Sequence, residues 1–121
     1  MTKLRIAIAT NGKSGLEDAV SNVFGRAKTF TVVDVEDEKI LSVKVLENPA
    51  LSYSHGAGPI AIKTLIDDRV EVVIADELGI GASEILKQHT IIYMQAKPGT
   101  NVGDAIKNAL RTHKRKLSPA S

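Results

Sequence analysis

The sequence predicts an α/β fold, a single three-layer domain in which helices cover both faces of a mixed five-stranded sheet. Two strand-like runs joined by a charged turn precede a stretch in which strand-like and helix-like runs alternate, the order typical of a hairpin followed by parallel βαβ units. A length of 121 residues suits one hydrophobic core. Apolar residues make up 43% and charged residues 25% of the chain, which excludes a disordered protein.

The first strand is predicted at residues 4–10, a short apolar run closed by Asn11-Gly12. Such a run is expected of a strand buried on both faces, so it should lie in the middle of the sheet. A short helix is predicted from Leu16, and Gly25 is expected to supply a left-handed turn before the second strand.

An antiparallel hairpin is predicted from the β-rich runs at residues 28–35 and 40–46, which the charged residues 36–39 separate. Within residues 41–45, aliphatic side chains alternate with a serine and a lysine. This alternation predicts one buried and one solvated face.

A helix is predicted to begin at Pro59, because a first-turn residue loses no hydrogen bond through its missing N–H, and to run to about Asp68. Residues 70–75, 80–88 and 90–94 then predict strand, helix and strand in one parallel βαβ unit.

Asn101 is expected to cap the last helix, with Asp104 near the positive end of its dipole. Apolar residues recur at helical spacing from Val102 to Leu110, so this helix should cover one face of the sheet.

The sequence is expected to divide into an α/β domain at residues 1–112 and a basic, flexible C-terminal tail at residues 113–121. Four of the 16 basic residues lie in the last eleven, leaving 12 basic against 14 acidic residues in residues 1–110. Nucleic-acid binding by this tail is not favoured, because the chain has only four aromatic residues for base stacking.

The absence of cysteine excludes disulfides, thiolate-bound zinc, a thiol nucleophile and an iron–sulfur cluster held by the chain's own thiolates. No apolar run approaches the roughly 20 residues of a membrane span. Residues 1–10 lack the layout of a secretory signal. We therefore expect a cytoplasmic protein that does not bind membranes.

Several catalytic motifs are incomplete. A phosphate loop would need glycine where Ala7 stands. Residues 56–61 fit the dinucleotide pattern G-x-G-x-x-G/A, but an eight-residue loop replaces the tight turn after the preceding strand, and residues 79–84 fail its sixth position. The chain has no G-x-S-x-G, and residues 4–10 carry no carboxylate for a metal-dependent nuclease.

Two loops remain as candidate ligand sites. His55 lies in a loop of small residues just before the helix start at Gly58-Pro59, where backbone N–H groups favour an anion. The alternative for His55 is an imidazole that bonds a loop carbonyl. Arg26 follows Gly25, and there it either offers a forked cation to an anionic ligand or is an ordinary surface arginine beside a helix end.

Taken together, the loops resemble the dinitrogenase iron–molybdenum cofactor biosynthesis family over roughly residues 4–110. The motifs that carry the resemblance are Ser21…Phe24-Gly25-Arg26-Ala27, Glu47-Asn48-Pro49, His55-Gly56-Ala57-Gly58 and Leu78-Gly79-Ile80-Gly81-Ala82. The resemblance implies a ribonuclease-H-like fold. It also implies non-enzymatic binding or carriage of the iron–molybdenum cofactor, its iron–sulfur precursor or a related cluster, exchanged with metallocluster donor or acceptor proteins.

The expected cofactor-binding residues are Asn11, Gly25, Arg26, His55, Gly56, Gly58, Gly79 and Gly81, with His55 as the metal ligand. The sequence departs from the family at Val23, where members often have histidine. One imidazole bond is then the most these motifs offer a cluster, so charge and shape, with a contribution from Lys13, are expected to supply most of the affinity.

Two alternatives stay open. The first is an enzyme that binds a nucleotide or phosphate ester through Gly12-Lys13-Ser14 and Gly56-Ala57-Gly58. The second is a degenerate family member that has lost its ligand along with the histidine at position 23 and acts through a protein partner or the basic tail.

Overall fold

A mixed five-stranded sheet forms the centre of the computed structural model, which describes the backbone of residues 3–117 and the side chains of residues 3–112. The strands are β1 (Lys3–Thr10), β2 (Thr29–Glu36), β3 (Lys39–Glu47), β4 (Val72–Ala75) and β5 (Ile92–Gln95). The helices are α1 (Ala57–Asp67), α2 (Ile80–Gln88) and α3 (Val102–Leu117), and short 3-10 turns cover Gly15–Glu17 and Pro49–Ser52.

The strand order is β3-β2-β1-β4-β5, with β1 in the middle as predicted. β2 runs antiparallel to both β1 and β3, whereas β4 is parallel to β1 and β5. Ala7, for example, lies opposite Val32 of β2 on one side and Val73 of β4 on the other. The predicted hairpin and parallel βαβ unit are therefore confirmed.

Two hydrophobic cores lie on opposite faces of the sheet. One contains residues of α1 and α2 packed on the sheet, among them Ala7, Phe30, Val32, Ala61, Ile62, Leu65, Val73, Ala82 and Leu86. The other contains residues of α3, among them Ile6, Ile8, Val33, Val35, Val72, Ile74, Val102, Ala105 and Ile106. The three-layer arrangement, with helices on both faces, is confirmed. Within residues 3–117 no helix is both long and apolar enough to cross a bilayer.

The predicted buried face of β3 is wrong except at Val45, which is half-buried. Leu41 and Val43 remain 52% and 37% exposed. The reason is that β3 is an edge strand, and the α3-side core ends at β2 residues such as Val33 and Val35. The register of β3 against β2 also shifts, pairing Ser42 with Asp34 but Ile40 with Val35, so Leu41 is the extra residue of a β-bulge.

The predicted helix from Leu16 is a single 3-10 turn at Gly15–Glu17. Asp18 ends it: its carboxylate accepts the backbone N–H groups of Ser14 and Ala19 at 3.1 and 2.8 Å. The chain then extends, and the N–H of Val20 bonds to the carbonyl of Thr100 instead of continuing a helix.

Several element boundaries differ from the predicted ones. Pro59 is the third residue of α1, not the first, a position whose N–H also lacks a helical partner. β4 and β5 each begin two residues later than predicted, because Arg69 and Thr90 have positive φ angles of 62° and 57° and form turns that end the preceding helices.

The predicted cap of the last helix is confirmed. The Asn101 side-chain oxygen accepts the backbone N–H of Asp104 at 3.1 Å. The helix continues to Leu117. The side chains of residues 113–121, and the backbone of residues 118–121, lie outside the described part of the chain, so the basic tail stays a prediction.

An ion-pair cluster joins β1, β2 and the end of α1. The guanidinium of Arg5 donates to both carboxylate oxygens of Asp34, at 2.8 and 3.1 Å, and to the carbonyl of Asp68 at 2.8 Å. The Asp68 carboxylate also pairs with Lys44 at 2.7 Å. The hydrogen bonds from Arg5 are the main reason that the pKa of Asp34 lies below its ordinary value of 3.8.

The Arg5–Asp34 pair is expected to make stability depend on pH in the acid range. Because the pKa of Asp34 is lower in the folded than in the unfolded chain, the pair stabilises the fold at neutral pH, and this contribution is lost as the pH falls below about 4. The free-energy difference between wild type and Asp34→Asn in urea unfolding should therefore shrink on acidification. Asp67→Asn, at an exposed position, corrects for the change in net charge. A difference equal at pH 7 and pH 3 would contradict the role assigned to the pair.

Candidate functional site

The motif loops gather at the edge of the sheet where β1 and β4 end. Asn11 directly follows β1, and Gly79 lies between β4 and α2. Because β2 is antiparallel to β1, the segment with Gly25 and Arg26 that leads into β2 lies at this same edge. In α/β sheets ligands bind outside the carboxyl ends of the strands, so this is the edge where a site is expected.

Gly25 brings two of these loops into close contact. A Cβ atom at Gly25 would lie 2.8 Å from the backbone nitrogen of Gly58 and 3.0 Å from its Cα. The predicted left-handed turn at Gly25 is wrong, since the glycines with positive φ are Gly15, Gly56 and Gly99. Glycine is needed at position 25 because backbone packs on backbone there.

The same contact continues to the start of α2. A Cβ at Gly58 would lie 3.6 Å from the Ala82 Cβ, and one at Gly81 would lie 3.5 Å from the Pro59 Cγ. The N-terminal turns of α1 and α2 are therefore neighbours, and three of the motif loops form one continuous surface, here called the loop cluster (residues 23–26, 50–59 and 78–82).

Arg26 connects two segments of the loop cluster. Its guanidinium donates one hydrogen bond to the carbonyl of Ser54 at 3.1 Å and a longer one to the carbonyl of Ala50 at 3.5 Å. Ser54 directly precedes His55, which is exposed. The structure thus brings Arg26 to the loop that carries the imidazole, and it gives Arg26 a structural task that the sequence analysis did not anticipate.

Asn48 lies in the Glu47-Asn48-Pro49 motif, from which no role for it was predicted. Its side-chain amide donates to the carbonyls of Gly25 and Ala27 at 2.9 and 2.8 Å, and its oxygen accepts the N–H of Ala50 at 2.9 Å. Asn48 is only 5% exposed. The signal available in the sequence was an asparagine before proline, between a predicted strand and a motif loop.

Tyr93 secures the end of β4 before the third loop. Its hydroxyl donates to the carbonyls of Asp76 and Ala75 at 2.8 and 3.2 Å. Burial, followed by the charges of Asp76 and Glu77, raises the pKa of this phenol above its ordinary value. Tyr93 therefore remains a neutral donor, and this position was also missed from the sequence.

The starts of α1 and α2 leave backbone donors without helical acceptors. The first helical bonds are from Ile60 to Gly56 at 3.1 Å and from Ser83 to Gly79 at 3.0 Å, so the N–H groups before them have no partner within the helix. Gly56 has the left-handed φ of 73° that favours glycine. Gly79 has an ordinary φ of −66°, and no heavy atom lies within 4 Å of where its Cβ would stand.

Two predicted contributors are less closely connected to the loop cluster. The side chain of Asn11 is exposed and makes no hydrogen bond within residues 3–112. Lys13 pairs with Glu47 at 2.7 Å, and this pair lowers the pKa of the Glu47 carboxyl. Among the described side chains, no group of three or more histidine, cysteine or acidic residues is arranged to hold a metal ion.

The protein is a small α/β domain whose loop cluster has features suited to anions. These are glycine backbone and two helix N-termini, together with a guanidinium and an exposed imidazole in the same loops. The profile of the family described as dinitrogenase iron-molybdenum cofactor matches residues 2–112. The chain therefore belongs to this family, which places it among cofactor-related accessory proteins.

The chain is also similar to individual proteins and solved structures. The uncharacterized protein MJ0580 of Methanocaldococcus jannaschii is 29% identical over 84 residues, 69% of this chain and 70% of that protein. The apo form of the orange protein of Desulfovibrio gigas superposes with a TM-score of 0.81 at 30% identity, covering 89% of this chain and 88% of that one. The structure of TM1290 from Thermotoga, described as a candidate NifB protein of the DUF35 family, has a TM-score of 0.69 at 32% identity, covering 90% and 88%.

Proposed function

We propose that this protein binds and carries an anionic metal–sulfur cofactor, the iron–molybdenum cofactor or an iron–sulfur precursor of it, without catalysing a reaction. The observation that carries the proposal is the packing of Gly25 on Gly58, together with the bond from Arg26 to the carbonyl before His55. These contacts bring the segments that carry Arg26 and His55 next to the N-terminal turns of α1 and α2, which supports a shared site.

The charge of the loop cluster supports an anionic cargo. Two of its three segments lie in stretches without aspartate or glutamate, residues 19–33 and 48–66, although acidic residues outnumber basic ones in residues 1–110; Asp76 and Glu77 precede the third segment. A guanidinium has five N–H donors, and Arg26 uses two bonds to hold the His55 loop. Its remaining donors and the unpaired backbone N–H groups of α1 and α2 suit the sulfides of a cluster that brings most of its own ligands.

Each candidate residue has a distinct task in this proposal. His55 supplies the single bond to metal, and Arg26 supplies charge. Gly56 and Gly79, whose Cβ positions are open, let the backbone approach the cluster, while Gly58 and Gly81 let the starts of α1 and α2 lie side by side at its border. Asn11 borders the same edge of the sheet. With one metal ligand from the protein, binding is expected to be weak enough for transfer, so the partners would be proteins that donate or accept the cluster.

We extend the proposal to three properties implied by the family. The fold would be of the ribonuclease-H-like type, which the order β3-β2-β1-β4-β5 with β2 antiparallel supports. The protein would work in the cytoplasm. It would be an accessory protein and not an enzyme.

Anaerobic mixing with isolated iron–molybdenum cofactor tests the function. We expect visible absorption and iron to co-elute with the protein on gel filtration, and His55→Ala and Arg26→Gln each to weaken retention about tenfold, since each removes one charged or metal-directed contact. His89→Ala and Lys107→Gln are matched controls at exposed positions outside the loop cluster. If no iron co-elutes with the wild-type protein or with any variant, the proposal is refuted.

The nucleotide alternative has less support in the structure, because Gly12-Lys13-Ser14 precedes a single 3-10 turn and not an α-helix whose N-terminus could bind a phosphate. This alternative predicts that nucleotides raise the melting temperature and that the cofactor does not change it. The degenerate-member alternative predicts neither shift.

A further inference from the structure

A groove separate from the loop cluster lies on the other face of the sheet, between α3 and the carboxyl ends of β4 and β5. Its volume of about 300 Å³ falls at the lower end of the range of small-molecule sites, about 300–1,000 Å³. The groove is lined by Ile74, Met94, Gln95, Ala96, Lys97, Thr100, Ala105, Asn108, Ala109 and Thr112.

The floor of the groove is apolar. Ile74 and Met94 are the next-to-last residues of β4 and β5; both are buried and belong to the α3-side core. Ala105 and Ala109 lie one turn apart on α3 and face them. Larger side chains at these two helix positions would fill the space, so the groove exists because α3 has methyl groups there.

The rim of the groove is polar and unpaired. Within residues 3–112, the side-chain amides of Gln95 and Asn108 and the ammonium of Lys97 bond to no protein group. Among the side chains of residues 3–112 that line the groove, Lys97 is the only charged one. An apolar floor with a single cation at the rim complements a molecule with an apolar body and one negative charge.

We propose that this groove is a second binding site, for a small amphipathic anion such as an aromatic carboxylate or sulfonate. The apolar body would lie on Met94 and the two alanines, with the acidic group at Lys97 and the amides of Gln95 and Asn108 as further donors. The location agrees with ligand binding outside the carboxyl ends of strands. This site does not depend on the function proposed for the loop cluster.

The test uses the full chain and 8-anilinonaphthalene-1-sulfonate, whose fluorescence rises in apolar surroundings. The chain has no tryptophan that would complicate the measurement. We expect one probe molecule per chain, with amide NMR shifts concentrated at residues 94–97 and 105–112. Lys97→Gln should weaken binding about tenfold through loss of the charge-assisted contact.

Three comparisons make the test specific. Lys107→Gln, the same charge change at an exposed α3 position outside the groove, should leave the affinity unchanged. Ala109→Leu should abolish binding by filling the groove; if it does not fold, Lys97→Gln decides. The neutral analogue N-phenyl-1-naphthylamine should bind wild type and Lys97→Gln equally. Equal affinities of Lys97→Gln and Lys107→Gln for the sulfonate, or shifts confined to the exposed apolar residues of the loop cluster, would overturn the proposal.

Discussion

Replacing Gly25 by alanine is expected to lower the free energy of unfolding by about 2 kcal/mol or more, with a melting temperature about 8 °C lower. The added methyl would lie 2.8 Å from the nitrogen of Gly58 and 3.2 Å from the carbonyl carbon of Ala57. Both are backbone atoms, so the two loops must separate. The same substitution should weaken cofactor retention, because the surface that both loops form is displaced.

Gly79→Ala is the matched control for this prediction. It is the same chemical change in the same loop cluster, but the backbone there is ordinary and the Cβ position is open. Gly79 is the N-cap of α2, where alanine is less favourable than glycine, so the melting temperature of this variant should fall by no more than about 4 °C. Equal melting temperatures for Gly25→Ala and Gly79→Ala would contradict the close packing of Gly25 on Gly58.

Asn48→Ala is expected to lower the free energy of unfolding by about 3 kcal/mol, measured in urea. Three hydrogen bonds are lost together, and the carbonyls of Gly25 and Ala27 and the N–H of Ala50 are left without their partner. Because these groups belong to the segments that carry Arg26 and lead to His55, cofactor retention should fall as well.

Asn48→Asp separates the two halves of this interaction. Aspartate keeps the acceptor for the Ala50 N–H but puts carboxylate oxygen against two carbonyls, so at neutral pH it should destabilise as strongly as alanine. Asn22→Ala, at an exposed position, should change the unfolding free energy by less than about 0.5 kcal/mol. Full stability of Asn48→Asp would show that the amide donors contribute little.

Hydrophobic patterning was sufficient to predict the architecture. The apolar run at residues 4–10 indicated a central strand, and β1 does pair on both sides. The alternation of strands and helices after residue 70 indicated the parallel units. These features depend on residues close together in the chain, so the pattern of apolar residues in the sequence indicates them directly.

Features that depend on distant contacts were not predictable in the same way. The need for glycine at position 25 comes from Gly58, 33 residues later, and no local pattern reports that distance. The exposure of β3 depends on which strand forms the edge and how far α3 reaches. Likewise, the turns at Arg69 and Thr90 use non-glycine residues with positive φ. The local sequence does not favour this conformation, and the tertiary structure imposes it.

The candidate site was predictable as a set of segments but not as a geometry. The motifs at residues 25–26 and 55–58 were recognised, and the structure joins them. The bonds of Arg26 to carbonyls, and the roles of Asn48 and Tyr93, required coordinates because each of these side chains spans segments far apart in sequence.

The packing of Gly25 on Gly58 also limits how this protein can evolve. A crowded side chain can be accommodated when its neighbour becomes smaller, but here the neighbour is main chain, and position 58 already has no side chain to remove. No substitution at position 58 is therefore expected to rescue a bulkier residue at position 25, and suppressors of Gly25→Ala should be reversions to glycine or substitutions elsewhere that raise the stability of the whole fold.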